Sequence, residues 1–167
     1  MHTAVGILFL LIIVLAIWLL FFNNIITEKK TAIDETWDQI TSLFLDRDEL
    51  LDKLAQRASL TGQKPEALEG LAPAKRRFME AKSADQLITS SQKLSEKVKL
   101  LQSAFLAHPY KDEDPVSASL LLQLTELEEK LSGRLELYQD TAAKYNRRLN
   151  VFPNNLATFI LGKKPLS

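Results

Sequence analysis

The sequence has no cysteine, two histidines, five glycines and six prolines in 167 residues. Without cysteine there is no disulfide, thiol nucleophile or thiolate metal site, a composition compatible with either side of a membrane. So few glycines leave little for phosphate-cradling loops, and the strings G-x-G-x-x-G, G-x-x-x-x-G-K-[ST] and G-x-S-x-G do not occur. There is no excess of either charge: 21 Lys and Arg balance 21 Asp and Glu. That argues against nucleic acid as the main partner, because phosphate binding needs a sustained basic surplus. His2 and His108 have neither the E-x-x-H partner of di-iron bundles nor the H-E-x-x-H of zinc proteases. No catalytic, cofactor-binding or metal-ligating set is expected.

Charge is also missing locally. Every charged side chain lies at or after Glu28, and Ala4 to Phe22 read AVGILFLLIIVLAIWLLFF. As a helix this run is about 28 Å long, close to the roughly 30 Å hydrocarbon core of a bilayer. The competing reading, a cleaved signal peptide, requires a basic n-region, a shorter apolar stretch and a small-residue cleavage site, none of which is seen. Residues 1–22 therefore read as a single-pass anchor that contacts lipid through residues 4–22. Lys29 and Lys30 follow the span and nothing basic precedes it, so the positive-inside bias leans toward a cytoplasmic C-terminal part.

After the span, three stretches repeat apolar residues at alternating spacings of three and four, the pattern of packed helices. The first carries Ile26, Ile33, Trp37, Ile40, Phe44, Arg47, Leu51, Leu54 and Ala58. The second carries Leu87, Ser91, Leu94, Val98, Leu101 and Phe105. The third runs from Leu120 through Leu124, Leu127, Leu131, Leu135, Tyr138, Ala142, Tyr145 and Leu149 to Phe152. Period-two alternation is missing, which makes the protein all-α.

Breakers set the ends. Gly62 and Pro65 close the first helix, and Gly70 and Pro73 shorten or kink a second within residues 66–82. Ser83 and Gln86 have capping-box spacing at the start of the third. His108-Pro109 ends that helix, and Asp114-Pro115 supplies an N-cap and first-turn proline for a fourth that runs to Phe152-Pro153. The first and fourth helices would each extend about 55 Å beyond the membrane, the second and third about 26 and 36 Å. The expected architecture is a transmembrane helix that continues into an antiparallel four-helix bundle over residues 23–153, with helices one and four long and two and three short, and an apolar, basic tail at 154–167. On these lengths the membrane-proximal half is a two-helix stalk. Ile33, Trp37, Ile40, Tyr145, Leu149 and Phe152 then form an uncovered strip for contact with further copies, while the tail caps the stalk or touches the bilayer.

Several strings resemble the LemA family of bacterial membrane proteins: Phe22-Asn23, Ile33-Asp-Glu-Thr-Trp37-Asp-Gln-Ile40, Leu43 with Arg47 and Glu49-Leu-Leu51, His108-Pro-Tyr-Lys111, Leu124 with Glu128 and Leu131, Tyr145-Asn146, and Phe152-Pro-Asn-Asn-Leu156. The chain looks like a divergent member. Phe22-Asn23 and Tyr138-Gln139 stand where the family has Y-N, His108 stands for an aromatic before proline, and Asp52-Lys53-Leu54 replaces P-N-L. The resemblance implies a single-pass bacterial inner-membrane protein with a helical bundle and no established enzymatic activity or cofactor.

Among polar residues, Arg47 is unusual because it interrupts an apolar stripe. Either its stem packs on the seam and its head reaches water, or it is buried and paired with a carboxylate such as Glu128, which would specify register. Tyr138 and Tyr145 read as core residues, and the clusters at Asp112–Asp114 and Glu126–Glu129 as caps and solvated surface. The functional expectation is a membrane-tethered scaffold or adaptor that works through helix-mediated protein contacts, as a homo-oligomer or with another membrane protein. The alternative is a ligand receptor or enzyme with a small-molecule site between the helices, and a pocket with converging polar groups would distinguish it.

Overall fold

A computed structural model of the chain describes residues 2–60, 70–81, 83–106 and 114–166, apart from the side chains of residues 2, 58–60 and 104–106. Every regular element among them is helical: α1 (His2–Leu60), α2 (Leu71–Met79), α3 (Ala84–Leu106), α4 (Pro115–Asn150) and α5 (Asn154–Ile160). The long first and fourth helices with shorter ones between them follow the expected architecture. Gly62, Pro65, His108, Pro109, Asp112, Glu113 and the start of the second helix at 66–69 lie outside the described residues. Contacts gather the chain into two units, one of residues 39–135 and one of residues 1–38 with 136–166. The division falls inside α1 and α4, whereas the sequence suggested boundaries after residues 22 and 153.

In the unit of residues 39–135, heptad positions supply the core. Leu50, Leu51 and Leu54 of α1, Leu71 of α2, Leu94, Val98 and Leu101 of α3, and Leu124 and Leu127 of α4 form one buried cluster. Burying a leucine is worth about 1.5–3 kcal/mol, so this cluster is the main source of cohesion. The helix starts follow the cap residues. Ser83 Oγ accepts from the Gln86 amide at 3.3 Å at the start of α3. At the start of α4, Asp114 accepts from the Ser117 amide at 3.3 Å and from its hydroxyl, with Pro115 in the first turn where no amide donor is needed. Ion pairs join the elements: Lys75 of α2 reaches Asp48 and Asp52 of α1 at 2.8 and 2.9 Å, and Arg57 forks onto Asp114 at 3.0–3.2 Å.

In the other unit, α1 begins with the apolar run, whose side chains from Val5 to Ile17 are exposed. Among the described residues α1 is the one helix long and apolar enough to cross a membrane. Past the run, Phe22, Ile26 and Ile33 are buried, as are Tyr138, Tyr145 and Leu149 of α4. The Trp37 ring lies 4.8 Å from that of Tyr138. The cover that length arithmetic left out comes from the C-terminal segment. After α4 ends at Asn150, α5 packs through Ala157, which is fully buried, and Thr158 donates to Leu149 O at 3.1 Å. Asn154 Nδ2 donates to Arg148 O at 3.2 Å. Gly162, at φ 62°, ends α5 in the left-handed conformation that glycine adopts without strain, with the Lys163 amide donating back to Thr158 O at 3.0 Å. The chain then returns along α4, where Asn146 donates to Leu166 O at 2.9 Å and accepts from Leu166 N at 2.8 Å.

The expected open strip is thereby corrected. Ile33, Ile40, Tyr145 and Leu149 are buried within the chain and Trp37 is half-buried. Only Phe152 is open, at 74% exposure, because α4 stops two residues earlier and the backbone turns away from the seam. In the unit of residues 1–38 and 136–166 the C-terminal segment adds to the two long helices, with α5 at Leu149 and the returning chain at Asn146 and Thr27.

The Asn146 clamp makes a testable statement. Asn146→Ala removes both side-chain bonds to Leu166 and should lower stability by about 1–2 kcal/mol. The amide of Leu166 should lose its hydrogen-exchange protection while amides in the middle of α3 keep theirs. Unchanged protection at Leu166 would mean that the tail is held by packing alone.

Candidate functional site

The site that the sequence points to is Arg47, and its neighbours lie within residues 39–135. On α1, Phe44 precedes Arg47 by three residues and shares its face. On α3, Ser91 and Ser95 are one turn apart on one face, and α2 and α4 contribute Phe78 and Glu128. Arg47 is 1% exposed, which excludes a head that reaches water. Its Nη1 lies 3.2 Å from Ser91 Oγ, 3.4 Å from Ser95 Oγ and 3.5 Å from Glu128 Oε1. The last distance is long for a charged pair, which is typically about 2.7–2.9 Å. The short contact is instead Ser95 Oγ donating to Glu128 Oε2 at 2.6 Å. Arg47 and Glu128 are thus brought together, as the heptads suggested, with Ser95 as a bridge: it accepts from the cation and donates to the carboxylate.

The rest of the guanidinium faces aromatic rings. Its central carbon lies 5.2 Å from the Phe44 centroid and 5.3 Å from the Phe78 centroid, and the two rings meet edge to face at 4.6 Å. Both distances suit cation–π attraction, which strengthens when water is excluded. Nη2 is buried and finds no hydrogen-bond acceptor among the described residues. Desolvation pushes the Arg47 pKa below its ordinary value, and Glu128 opposes the shift by charge and hydrogen bond. An arginine starts so high that the side chain stays cationic at neutral pH. Ser91, Ser95 and the phenylalanine cage were not read from the sequence as parts of this site. Ser91 lies on the expected seam and was a visible signal, whereas Ser95 lies one position off it and Phe78 is on a helix whose phase was unknown.

The chemistry open to this arrangement is narrow. Arg47 is neither a base nor a nucleophile, and its charge is spent on internal partners. Among the described residues no group of three His, Asp or Glu converges as a metal site would require. The grooves are open and mixed in charge. One of about 480 Å³ between α2 and α3 is lined by Arg77, Lys93, Lys97 and Glu96 with Ser90 and Ala74. Another of about 350 Å³ carries Asp46, Glu49 and Lys53 of α1 opposite Glu126 and Lys130 of α4.

The long apolar α1, the helical bundle and the sealed ionic core define the class: helical-bundle proteins with one candidate membrane span. The LemA family model matches residues 36–166, most of the chain, and the chain belongs to the LemA family. No curated protein matches it.

Removing the cation should leave Glu128 and the two serines without their partner. Arg47→Ala is expected to cost about 3–5 kcal/mol, against about 1 kcal/mol or less for a solvent-reaching arginine. Chemical unfolding of the full chain in detergent gives the answer, and a midpoint that barely moves would refute the buried-pair account.

Asp114 gives a pH signature. The Arg57 fork and the Ser117 hydroxyl hold its carboxyl below the usual range. A depressed carboxyl stabilises fully above the unfolded value of about 4, and that contribution fades as pH falls through the folded value. Asp114→Asn should therefore lower the melting temperature at pH 7, with a gap to wild type that narrows below about pH 4. A gap independent of pH would assign the loss to the cap alone.

Proposed function

We propose that this protein is a single-pass inner-membrane scaffold or adaptor that acts through contacts of its helical bundle and carries out no chemistry of its own. The observation that supports this reading is the state of Arg47. The most chemically distinctive side chain of the bundle is sealed from solvent, and its Nη1 is directed at Ser91, Ser95 and Glu128. Such a network positions helices; it has no face toward a substrate. What the bundle offers outward is charged relief, above all Arg77, Lys93 and Lys97 along the α2–α3 groove. This relief suits protein contacts, with a further copy or another membrane protein. Lys29 and Lys30 after the span orient the bundle toward the cytoplasm.

Lysine-directed crosslinking in intact membranes followed by mass spectrometry tests the reading. Lys93 and Lys97 should yield crosslinks to a second copy or to another membrane protein. Crosslinks confined to one chain at saturating reagent would refute the scaffold, and saturable binding of a metabolite in the α2–α3 groove would favour the receptor class. For orientation, protease outside intact spheroplasts should spare residues 30–167; digestion of the bundle there reverses it.

A further inference from the structure

α5 is amphipathic in an unusual way. Ala157 is fully buried and Asn154, Thr158 and Leu161 are half-buried, so that one side of the helix is docked on its own unit. Leu156, Phe159 and Ile160 share the opposite side and stand 53%, 87% and 60% exposed, beside the equally open Val151 and Phe152. Three large apolar side chains on one short helical face are a costly display to water.

The level of this face along α1 is fixed by contacts within the unit. Lys163 Nζ lies 3.4 Å from Thr27 Oγ1. Thr27 is five residues past the end of the apolar run, hence about 7.5 Å along the helix axis and at headgroup depth if the run crosses the bilayer. Cover also reaches closer to the run. Phe22 is buried, and Trp18 and Leu19 are half-buried, while Val5 to Ile17 are exposed. Phe22 stacks on Trp18 with ring centroids 6.0 Å apart, and α5 sits between its tie to Leu149 and the Lys163 contact with Thr27. The contact at Thr27 therefore sets the end of α5 just beyond the run. Arg147, Arg148, Lys163 and Lys164 flank α5, and Lys29 and Lys30 lie just beyond Thr27.

We infer that α5 is a second membrane contact, an interfacial helix that sets Leu156, Phe159 and Ile160 into the headgroup–acyl boundary, with the lysines after it engaging anionic phospholipid headgroups. The occupant of this face is the bilayer surface itself, because the segment is tied to α1 at Thr27, five residues past the run, and its flanking charge is positive. The inference rests on the reading of residues 4–22 as a membrane span. The docked side explains why α5 need not bind lipid alone: its position is already set by Thr158, Gly162 and the Asn146 clamp, so little ordering cost remains for the bilayer contact.

The absence of cysteine makes the test direct. Phe159→Cys, Ile12→Cys and Gln139→Cys in the otherwise wild-type full chain are labelled with an environment-sensitive dye and reconstituted into vesicles of phosphatidylcholine or of phosphatidylglycerol. The dye at 159 should be quenched most by lipids spin-labelled near the headgroup, the dye at 12 most by lipids labelled deep in the chain, and the dye at 139 by neither. Aqueous iodide should reach position 159 at least about threefold less than position 139. Lipid quenching at 159 should be greater in phosphatidylglycerol, and Lys163→Gln with Lys164→Gln should abolish that difference. Iodide quenching at 159 equal to that at 139, with 12 protected, overturns the interfacial helix and leaves the span intact. An exposed dye at 12 overturns the span and this inference with it, and equal quenching at 159 in both lipids overturns the role of anionic headgroups.

Discussion

The packing of residues 39–135 depends on keeping one cation out of water. Arg47 draws on each of the four helices of this unit at once: Phe44 from its own α1, Phe78 from α2, Ser91 and Ser95 from α3, and Glu128 from α4. Leucine cores tolerate rearrangement, because one apolar contact substitutes for another. A buried guanidinium does not: if α3 slid by one turn, the serines would leave Nη1 and the charge would face hydrocarbon. The network is therefore better understood through the states it penalises than through any gain in stability, since well-packed apolar residues often replace buried ion pairs without loss. Nη2, which has no acceptor among the described residues, fits this view, because two aromatic faces lie over the guanidinium.

The sequence made much of this legible, for reasons that differ by element. The three- and four-residue spacing marked Ile26, Ile33, Ile40, Phe44, Leu51 and Leu54 on α1 and Leu124, Leu127, Leu131, Leu135, Tyr138, Tyr145 and Leu149 on α4, and these positions are buried, because a long helix leaves little freedom in which face it turns inward. Caps at Ser83 and Asp114 were readable because each is a side chain acting on its own backbone three residues on. For Arg47 the pattern gave the position without the burial. A heptad places a residue on a seam, but whether a head group is sealed depends on what lies above it, here Phe78 on a helix of nine residues.

The C-terminal segment was harder to read. Seven residues of α5 show barely two turns of periodicity, so that LATFIL reads only as an apolar tail. The decisive features are tertiary. Gly162 in the left-handed conformation reverses the chain, and Asn146 meets the backbone of Leu166 twenty residues away in sequence. Counting helices by length therefore left the strip around Ile33, Tyr145 and Leu149 open when the chain closes it itself. The Y-N and F-P-N-N strings that carry the family resemblance gain a physical role: Asn146 holds the returning tail and Asn154 ties α5 to the end of α4.

If the bundle is the scaffold proposed above, the weakness of its surface features constrains how it can work. Exposed ion pairs such as those along α1 and α2 are worth roughly 0–1 kcal/mol each, too little for a stable complex between freely diffusing proteins. A membrane anchor changes that arithmetic. Confinement of both partners to one surface raises their effective concentration, so that contacts too weak for solution become occupied without any new bond. On that proposal the apolar run of α1 and the charged grooves of the bundle would be complementary in energy: the first would supply proximity by burying apolar area in lipid, and the second selectivity among neighbours through the placement of Arg77, Lys93 and Lys97. On the same proposal, a chain without the run would keep the buried cluster of Leu54, Val98, Leu101 and Leu124 and would lose the confinement that makes weak contacts count.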